Sequence, residues 1–407
     1  MSDSELSVRC CVAGGGPAGM MLGLLLARAG VPVMVLEKHA DFLRDFRGDT
    51  IHPSTLEIMH ELGLLDEFLR RPHQEARIIG AQIGDDFLDI ADFTHLPTRC
   101  GFIAFMPQWD FLDFIAGQAR RYPTFQLKTQ AEVTELIEEG GRIAGVRAKT
   151  PEGEMVVRAD LVIGADGRHS TVRDKAGFVI DGIGAPMDVL WLRLSRRAKD
   201  PAQTLGRADT GRILVMLNRE DYWQCAFVIA KGGFEDIRQR GLPAFREEIT
   251  RLAPWLGERV DELADWSDVS LLSVAVDRLR VWHRPGLICI GDAAHAMSPI
   301  GGVGINLAIQ DAVAAANILA PALRQGAASE DNLRAVQRRR EFPTRAMQRV
   351  QVMLQNRVIG RVLHSTAKLS PPLLLRLLGH CPRLQRLPAR LIGLGFRREH
   401  VRIAAEA

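Results

Sequence analysis

The apolar residues of this 407-residue chain gather in short runs that end abruptly at glycine or at an acidic residue. Residues 8–13, 161–163 and 286–290 are runs of this kind, and their length and flanking turn residues predict buried strands. Residues 20–27 after the first run and residues 305–316 after the third keep apolar positions at helical spacing. Strands that lead through glycine-rich loops into helices predict an α/β fold.

The first loop has the spacing of a dinucleotide-binding turn. Gly14, Gly16 and Gly19 form Gly-x-Gly-x-x-Gly, and a second apolar run, residues 31–36, ends in Glu37. The glycines let a pyrophosphate approach the helix N-terminus, and the acidic residue can accept hydrogen bonds from a ribose. A tight turn without a ligand would explain the glycines but not Glu37. The candidate cofactor contacts in this region are Gly14, Gly16, Pro17, Ala18, Gly19, Glu37 and Lys38.

The third apolar run delivers one carboxylate, Asp292, into a stretch of fourteen residues that holds four glycines and Pro299. The helix that follows has free N–H groups and about half a positive charge at its start. A carboxylate, a thin loop and a helix N-terminus together predict a site for a polar, partly anionic ligand. The middle run ends at Asp166-Gly167, which taken alone is a common turn.

In this order the three motifs resemble those of the single-component FAD-dependent aromatic hydroxylases, the group A flavoprotein monooxygenases typified by para-hydroxybenzoate hydroxylase. The resemblance covers roughly residues 8–320. It implies an α/β protein with a Rossmann-type FAD-binding domain, an inserted mixed β-sheet substrate domain and a C-terminal helical segment. The expected ranges are 1–72, 106–178 and 276–335 for the FAD-binding domain, 73–105 and 179–275 for the substrate domain, and 336–407 for the helical segment.

The resemblance also implies roles for single residues. Glu37 would hold the adenosine ribose of FAD, Asp292 its ribityl chain, and residues 299–306 would border the isoalloxazine ring. Arg47 lies in a segment that resembles the flavin-contacting arginine loop of the family. The candidates added in this way are Arg47, Gln108, Asp166, Arg173, Asp292, Pro299, Gly302, Gly304, Ile305 and Asn306; Asp166 and Arg173 are shared candidates for flavin and NAD(P)H, and Arg47 and Pro299 are the catalytic candidates.

The function that the resemblance implies is hydroxylation. NAD(P)H reduces the flavin, O2 forms a C4a-hydroperoxide on it, and one oxygen atom passes to an aromatic or polyketide-like small molecule, while the protein supplies positioning and excludes water. Two alternatives stay open: an FAD-dependent reductase of the geranylgeranyl-reductase kind, acting on isoprenoid double bonds, and a flavin-binding protein without catalytic activity. No metal-ligand cluster is visible in the sequence, and we expect no metal site.

Three predicted strands between residues 189 and 229 supply the candidate substrate contacts, Trp191, Arg193, Met216 and Trp223. Alternation places Trp191 and Arg193 on one face of their strand. The sequence leaves open which face borders the flavin; on that face Arg193 would favour a carboxylated substrate. The charge-rich stretch between two of these strands, residues 196–212, is expected to be a solvated hairpin connection.

Composition is that of an ordinary folded enzyme, with 47% hydrophobic and 25% charged residues. A net charge of +3 argues neither for nor against binding of nucleic acid, and we expect no nucleic-acid partner. The six cysteines form no Cys-x-x-Cys pair and are expected to be reduced thiols in the cytoplasm. Residues 10–27 carry no charge and are numerous enough to cross a membrane. Their central glycines and Pro17 would expose backbone groups to lipid, so we reject a membrane span here.

The C-terminal segment differs from the rest of the chain in charge. Residues 357–407 contain ten Lys or Arg and two acids, interleaved with leucines and interrupted by prolines. Basic amphipathic helices of this kind bind anionic membrane surfaces weakly. The alternative that we favour is a helical cover packed on the flavin domain or on the partner of a homodimer. The other expected partners are the small-molecule substrate and O2.

Overall fold

The computed structural model describes residues 4–43, 50–201, 204–365, 367 and 369–404, so Arg47 lies outside the described residues. The strands in these ranges are β1 (Ser4–Ala13), β2 (Val33–Glu37), β3 (Thr50–Ile51), β4 (Gln74–Ala76), β5 (Ile78–Ile83), β6 (Asp86–Asp92), β7 (Ile103–Phe105), β8 (Phe125–Thr129), β9 (Glu132–Glu139), β10 (Arg142–Thr150), β11 (Gly153–Gly164), β12 (Ile180–Gly182), β13 (Met187–Ser195), β14 (Leu205–Asp209), β15 (Arg212–Asn218), β16 (Tyr222–Ala230), β17 (Ser270–Leu272), β18 (Asp277–Leu279), β19 (His283–Arg284) and β20 (Leu287–Cys289). The α-helices are α1 (Pro17–Arg28), α2 (Pro53–Glu61), α3 (Leu65–Phe68), α4 (Gln108–Ala119), α5 (Thr171–Lys175), α6 (Phe234–Arg240), α7 (Leu242–Leu252), α8 (Val303–Gln325), α9 (Glu330–Leu354), α10 (Gly360–Leu363), α11 (Leu373–His380) and α12 (Pro382–Leu394).

The larger sheet is built on five parallel strands in the order β20-β11-β1-β2-β8. Antiparallel strands extend it, β19 beside β20 and β10 with β9 beside β11. Every residue of β2 is buried, as expected for a parallel sheet that is covered on both faces. Helices α1 and α8 pack against each other, and their apolar residues share one core with the sheet. The three apolar runs of the sequence lie in β1, β11 and β20.

The second large sheet has the order β17-β13-β16-β15-β14-β5-β6. Its strands come from two separate parts of the chain, because β5 pairs in parallel with β14. One face packs against α7 and the 3-10 turns at Pro254–Glu262. The other face carries a separate cluster of buried residues. Ile300, in the turn before α8, packs its apolar side chain on this cluster. This second face is therefore directed toward the α8 turn.

Residues 196–212 are not the solvated hairpin connection that their charge suggests. They contain β14, which pairs with β15 and with β5. Asp200, in the same stretch, accepts hydrogen bonds from the guanidinium of Arg259 (3.0 Å) and the indole N–H of Trp223 (3.0 Å). The Asp200 and Arg259 side chains are only 7% and 3% exposed. Burial alone would raise the pKa of Asp200, but its hydrogen bonds lower it to about 2, so this buried ion pair stays charged at neutral pH.

The C-terminal segment packs on the rest of the chain. Helices α11 and α12 lie against β6, and α12 also contacts α2. Beyond α12 the chain runs along α8, where the side-chain amide of Asn317 donates to the carbonyl of His400 (2.8 Å). Arg339 holds Glu399 through two hydrogen bonds of 2.7 and 3.0 Å. These contacts agree with the helical cover favoured above.

One helical stretch, Ile300–Gln325, is long and apolar enough to cross a membrane. Within the protein it forms α8 and the turn before it, and 78% of its apolar window is buried. A mostly buried helix of this kind is the core helix of a folded domain. Residues 10–27, the uncharged stretch noted in the sequence, form the end of β1, the glycine turn and most of α1.

Candidate functional site

The three glycines of the Gly-x-Gly-x-x-Gly motif, two before α1 and one in its first turn, have two different functions. Gly14 has a φ of +104°, and a Cβ on it would lie 2.4 Å from the carbonyl oxygen of Ala165. A Cβ on Gly19 would lie 2.0 Å from the carbonyl oxygen of Gly14, so both positions exclude a side chain because backbone packs against them. Gly16 differs, because a Cβ there would meet no atom within 4 Å. Since α1 also has no side-chain cap, its N-terminus is open on this side to an anion such as a pyrophosphate.

Glu37 is fixed at the end of β2, beside the glycine turn. Its carboxylate accepts hydrogen bonds from the amides of Gly15 (2.9 Å) and His39 (3.0 Å), and the residue is buried. A carboxylate held in this place can accept the hydroxyl groups of a ribose. Lys38, the next residue, is exposed. Pro17 and Ala18 form the first turn of α1.

The polar side chains of the Asp-Gly motif after β11 form hydrogen bonds within their own loop. The Asp166 carboxylate accepts the hydroxyl of Ser170 and a backbone amide of α5. Burial raises the pKa of Asp166, and these hydrogen bonds only partly offset the rise. Arg173 is buried and donates to the carbonyl of Arg168 (2.7 Å). The structure places Asp166 against Gly14, but it directs the Arg173 guanidinium into the loop itself.

Asp292 lies in the turn directly after β20, and its side chain is 35% exposed. The guanidinium of Arg168 lies 4.0 Å from its carboxylate. A Cβ on Gly291 would lie 3.1 Å from the Cβ of Ala18, so this turn packs on the first turn of α1. The structure thus brings the Asp292 turn and the glycine turn together, as the sequence predicts for one extended ligand.

Asp311, which the sequence analysis missed, fixes the turn that carries Asp292. Its buried carboxylate accepts from the amide of Gly291 (3.1 Å), from Nε2 of His295 (2.6 Å) and from Nε of Arg340 (2.8 Å). Burial raises the pKa of Asp311, but the charges and hydrogen bonds of His295 and Arg340 outweigh this and lower it. Asp311 and Arg324 are the only charged residues of α8, and a lone acid in an apolar helix was the signal that could have revealed it.

Asn306 joins the turn before α8 to β3. Its Oδ1 accepts the amide of His52 and the hydroxyl of Thr55, both at 2.8 Å, and its Nδ2 donates to the carbonyls of Thr50 (3.0 Å) and Gly302 (3.2 Å). Gly302 has a φ of +61°, and a Cβ on it would lie 2.2 Å from the Thr50 hydroxyl. The turn is therefore held rigidly from both sides. The other candidates of this group, Pro299, Gly304 and Ile305, lie in the same turn and in the first turn of α8.

Gln108 is the first residue of α4 and is partly exposed. Arg47 lies outside the described residues, so its flavin contact and its catalytic role stay predictions. Pro299, the second catalytic candidate, is partly exposed at the α8 turn.

Of the four candidate substrate contacts, two lie on the face of the second sheet that is directed toward the α8 turn. Trp191 packs on the same buried cluster as Val215 and Ile300, and alternation puts Arg193 on its side of β13. The Arg193 guanidinium stacks 3.8 Å from the ring centre of Tyr222. Trp191 and Arg193 therefore lie on the face of the sheet that is directed toward the α8 turn, and the contact of this face with flavin and substrate stays a prediction.

The expectation that Met216 and Trp223 contact the substrate is wrong. Both are fully buried, at 0% exposure, in the core between the second sheet and α7. Directly opposed residues of antiparallel strands share a face, and Met216 lies opposite Cys225 in that core. Alternation shows which residues of one strand share a face. It does not show which residues of β15 or β16 lie on the same face of the sheet as a given residue of β13, because that depends on the register of strand pairing.

The described residues fit FAD. The open side of Gly16 and the uncapped start of α1 lie between the fixed Glu37, which contacts Gly15, and the turn of the partly exposed Asp292, which contacts Ala18. The α8 turn follows Asp292 in the chain. Bound there, FAD would supply redox chemistry and oxygen activation. Within the ranges described above, no group of three His, Cys, Asp or Glu side chains could hold a metal ion.

Comparison with known proteins agrees with this geometry. The sequence model of the family described as "FAD binding domain" matches residues 7–350. A 6-methylpretetramide 4-monooxygenase of Streptomyces rimosus is 37% identical over 362 residues, which cover 88% of this chain and 85% of that protein. In structure, p-nitrophenol 4-monooxygenase from Pseudomonas putida DLL-E4 superposes with a TM-score of 0.78 at 21% identity over 94% of this chain and 97% of that one. A probable FAD-dependent monooxygenase from Pseudomonas aeruginosa gives 0.74 at 22% identity, covering 88% and 97%.

We predict that Asp292→Ala weakens FAD binding about tenfold to a hundredfold. A charged group that hydrogen-bonds a ligand hydroxyl contributes roughly 1.5–3 kcal/mol. The measurement is the dissociation constant of FAD, from flavin fluorescence on reconstitution of the apoprotein. Asp331→Ala, which removes an exposed acid at the start of α9, is the matched control and should leave the constant unchanged. An unchanged constant for Asp292→Ala would show that this carboxylate does not contact FAD.

Proposed function

The chain belongs to the FAD-binding domain family and is an FAD-dependent monooxygenase, and from this premise we propose that it hydroxylates an aromatic, polyketide-like molecule related to 6-methylpretetramide. The reaction uses NAD(P)H and O2. The substrate named for the 37%-identical relative, which aligns with most of both chains, supports this class. A reductase acting on isoprenoid double bonds is not favoured, since that relative is a monooxygenase.

The observation that carries the proposal is the apolar face opposite the α8 turn. Trp191 and Val215 extend from neighbouring parts of the second sheet, and Ile300 extends from the turn; all three are only partly buried. Apolar side chains that stay partly exposed between two rigid elements favour a flat aromatic ligand, which buries their remaining surface.

Arg193 supports a substrate with an acidic group. It lies on the same face as Trp191, toward the end of β13, and its guanidinium is held over the ring of Tyr222. Stacking leaves the guanidinium N–H groups directed outward from the edge of the cation, where they can bind an ionised hydroxyl or a carboxylate. We propose Arg193 as the contact for such a group and Trp191 as the contact for the aromatic rings.

All six cysteines are free, and five are buried, which supports action in the reducing cytoplasm.

Helix α11 exposes Leu373, Leu374 and Leu377, and residues 371–398 contain arginines but no acid. Exposed leucines with basic neighbours fit an anionic membrane surface, which we propose as a weak contact of this face.

The function is tested with the FAD-loaded protein by oxygen uptake and mass spectrometry of products. We expect 6-methylpretetramide to gain one oxygen atom, with O2 and NAD(P)H consumed in equal amounts; p-nitrophenol serves as a small comparison substrate. NADPH and NADH are compared in parallel. Oxidation of the nicotinamide that yields only hydrogen peroxide with every compound would contradict the proposed substrate class, and substrate-dependent turnover without oxygen would favour the reductase.

The membrane contact is tested by co-sedimentation with vesicles. We expect binding to phosphatidylglycerol-containing vesicles that is lost at high salt and in Leu374→Glu, because exposed charges are screened over about 10 Å in 0.1 M salt. Leu6→Glu, a change at an exposed leucine on β1, is the control. Lack of binding together with a dimer mass that Leu374→Glu reduces to one chain would show that the face instead pairs with a second copy.

A further inference from the structure

Helix α12 reaches the face of the second sheet on which the proposed substrate contacts lie. Ala389 is fully buried among residues of the second sheet and of the β6–β7 region, including Phe93, Phe105 and Leu217. Trp191 and Val215 pack on this cluster as well as on the cluster of Ile300. Helix α12 therefore packs directly on this apolar face.

Ile392, one turn further along α12, faces the α8 turn. Its side chain packs on the Ala389 cluster but stays partly exposed. Its Cγ1 lies 3.9 Å from the position that a Cβ on Gly301 would take. Because Gly301 belongs to the turn that is predicted to border the isoalloxazine ring, Ile392 stands between that turn and the apolar face of the sheet.

Helix α12 is seated closely at this place. A Cβ on Gly393 would lie 2.8 Å from the side chain of Leu96 and 3.2 Å from that of Pro53. The carbonyl of Ile392 lies 2.8 Å from Nδ1 of His52. A carbonyl only accepts, so Nδ1 carries the proton, and burial lowers the pKa of His52 to about 4, which keeps the ring neutral.

The same histidine connects the helix to the flavin turn. The His52 amide donates to Oδ1 of Asn306, whose Nδ2 donates in turn to the carbonyl of Gly302. One residue thus links α12 through its side chain and the α8 turn through its backbone. A shift of α12 would break this hydrogen bond and leave Nδ1 of the buried His52 without its partner, so the bond holds the helix in place.

We propose that α12 is the third wall of the substrate pocket and that Ile392 is a specificity-determining residue, which limits how far a substrate extends beside the flavin. The proposal rests on the proposed function for the identity of the substrate but not for the position of the wall. Nothing in the sequence pattern of the C-terminal segment, a basic leucine-rich stretch, indicates such a role.

The test uses the FAD-loaded protein and the variants Ile392→Val and Ile392→Ala, which remove one and three carbon atoms from the wall. Leu387→Ala is the control, because Leu387 lies on the same helix, α12, but is 68% exposed. Two quantities are measured: acrylamide quenching of the bound flavin, which needs no substrate, and the ratio of kcat/KM for 6-methylpretetramide to that for p-nitrophenol.

We expect quenching to rise from wild type through Ile392→Val to Ile392→Ala, and the ratio to change by about tenfold or more, since each methylene of an apolar pocket contributes on this scale. Leu387→Ala should change neither. If no compound is hydroxylated but quenching rises in the Ile392 series, the proposed function fails and the wall stands. If hydroxylation occurs while quenching and ratio match the wild type in FAD-loaded Ile392→Ala, the wall is overturned and the proposed function stands.

Discussion

Parallel pairing brings the ends of β1, β2, β11 and β20 to one edge of the large sheet. Ala13 pairs with Leu36 on one side and with Gly164 on the other, and Gly164 pairs with Cys289. Buried backbone groups must find partners, so this ladder cannot slip without leaving N–H and C=O groups unpaired. Open α/β sheets bind ligands beyond this edge. Three loops that are far apart in sequence become neighbours for that reason alone.

Buried charge then fixes the loops in place. Asp311 holds the Gly291 turn and His295 from within α8, and Arg340 joins it to Glu399 near the C-terminus (3.3 Å). Removing one member of such a network leaves the others buried without compensation, which typically destabilises a protein by 3–5 kcal/mol. The C-terminal residues are thus coupled to the turn that carries Asp292, although they lie outside the resemblance found in the sequence.

The elements with strong local signals could be predicted from the sequence. The glycine turn, Glu37 and the Asp292 turn were placed by strand–loop–helix spacing, and the α/β fold and the FAD-dependent monooxygenase activity are confirmed. Features that depend on long-range packing could not be predicted. The face on which Met216 lies is set by strand pairing, and β14 is a strand because it pairs with β15 and β5, although its stretch of the chain is rich in charge. His52 was missed because its role depends on Asn306 and α12, which lie more than 250 residues away. The assignment of single residues to FAD stays a prediction.

The edge of the large sheet is expected to bind one FAD without a covalent bond. The most direct measurement is the absorbance spectrum of the purified protein, followed by denaturation and quantification of the flavin released into solution. We expect a yellow protein with nearly one FAD per chain, all of it released. Flavin that remains with the precipitated protein would contradict non-covalent binding, and a colourless protein that cannot be reconstituted with FAD would show that this edge is not an FAD site.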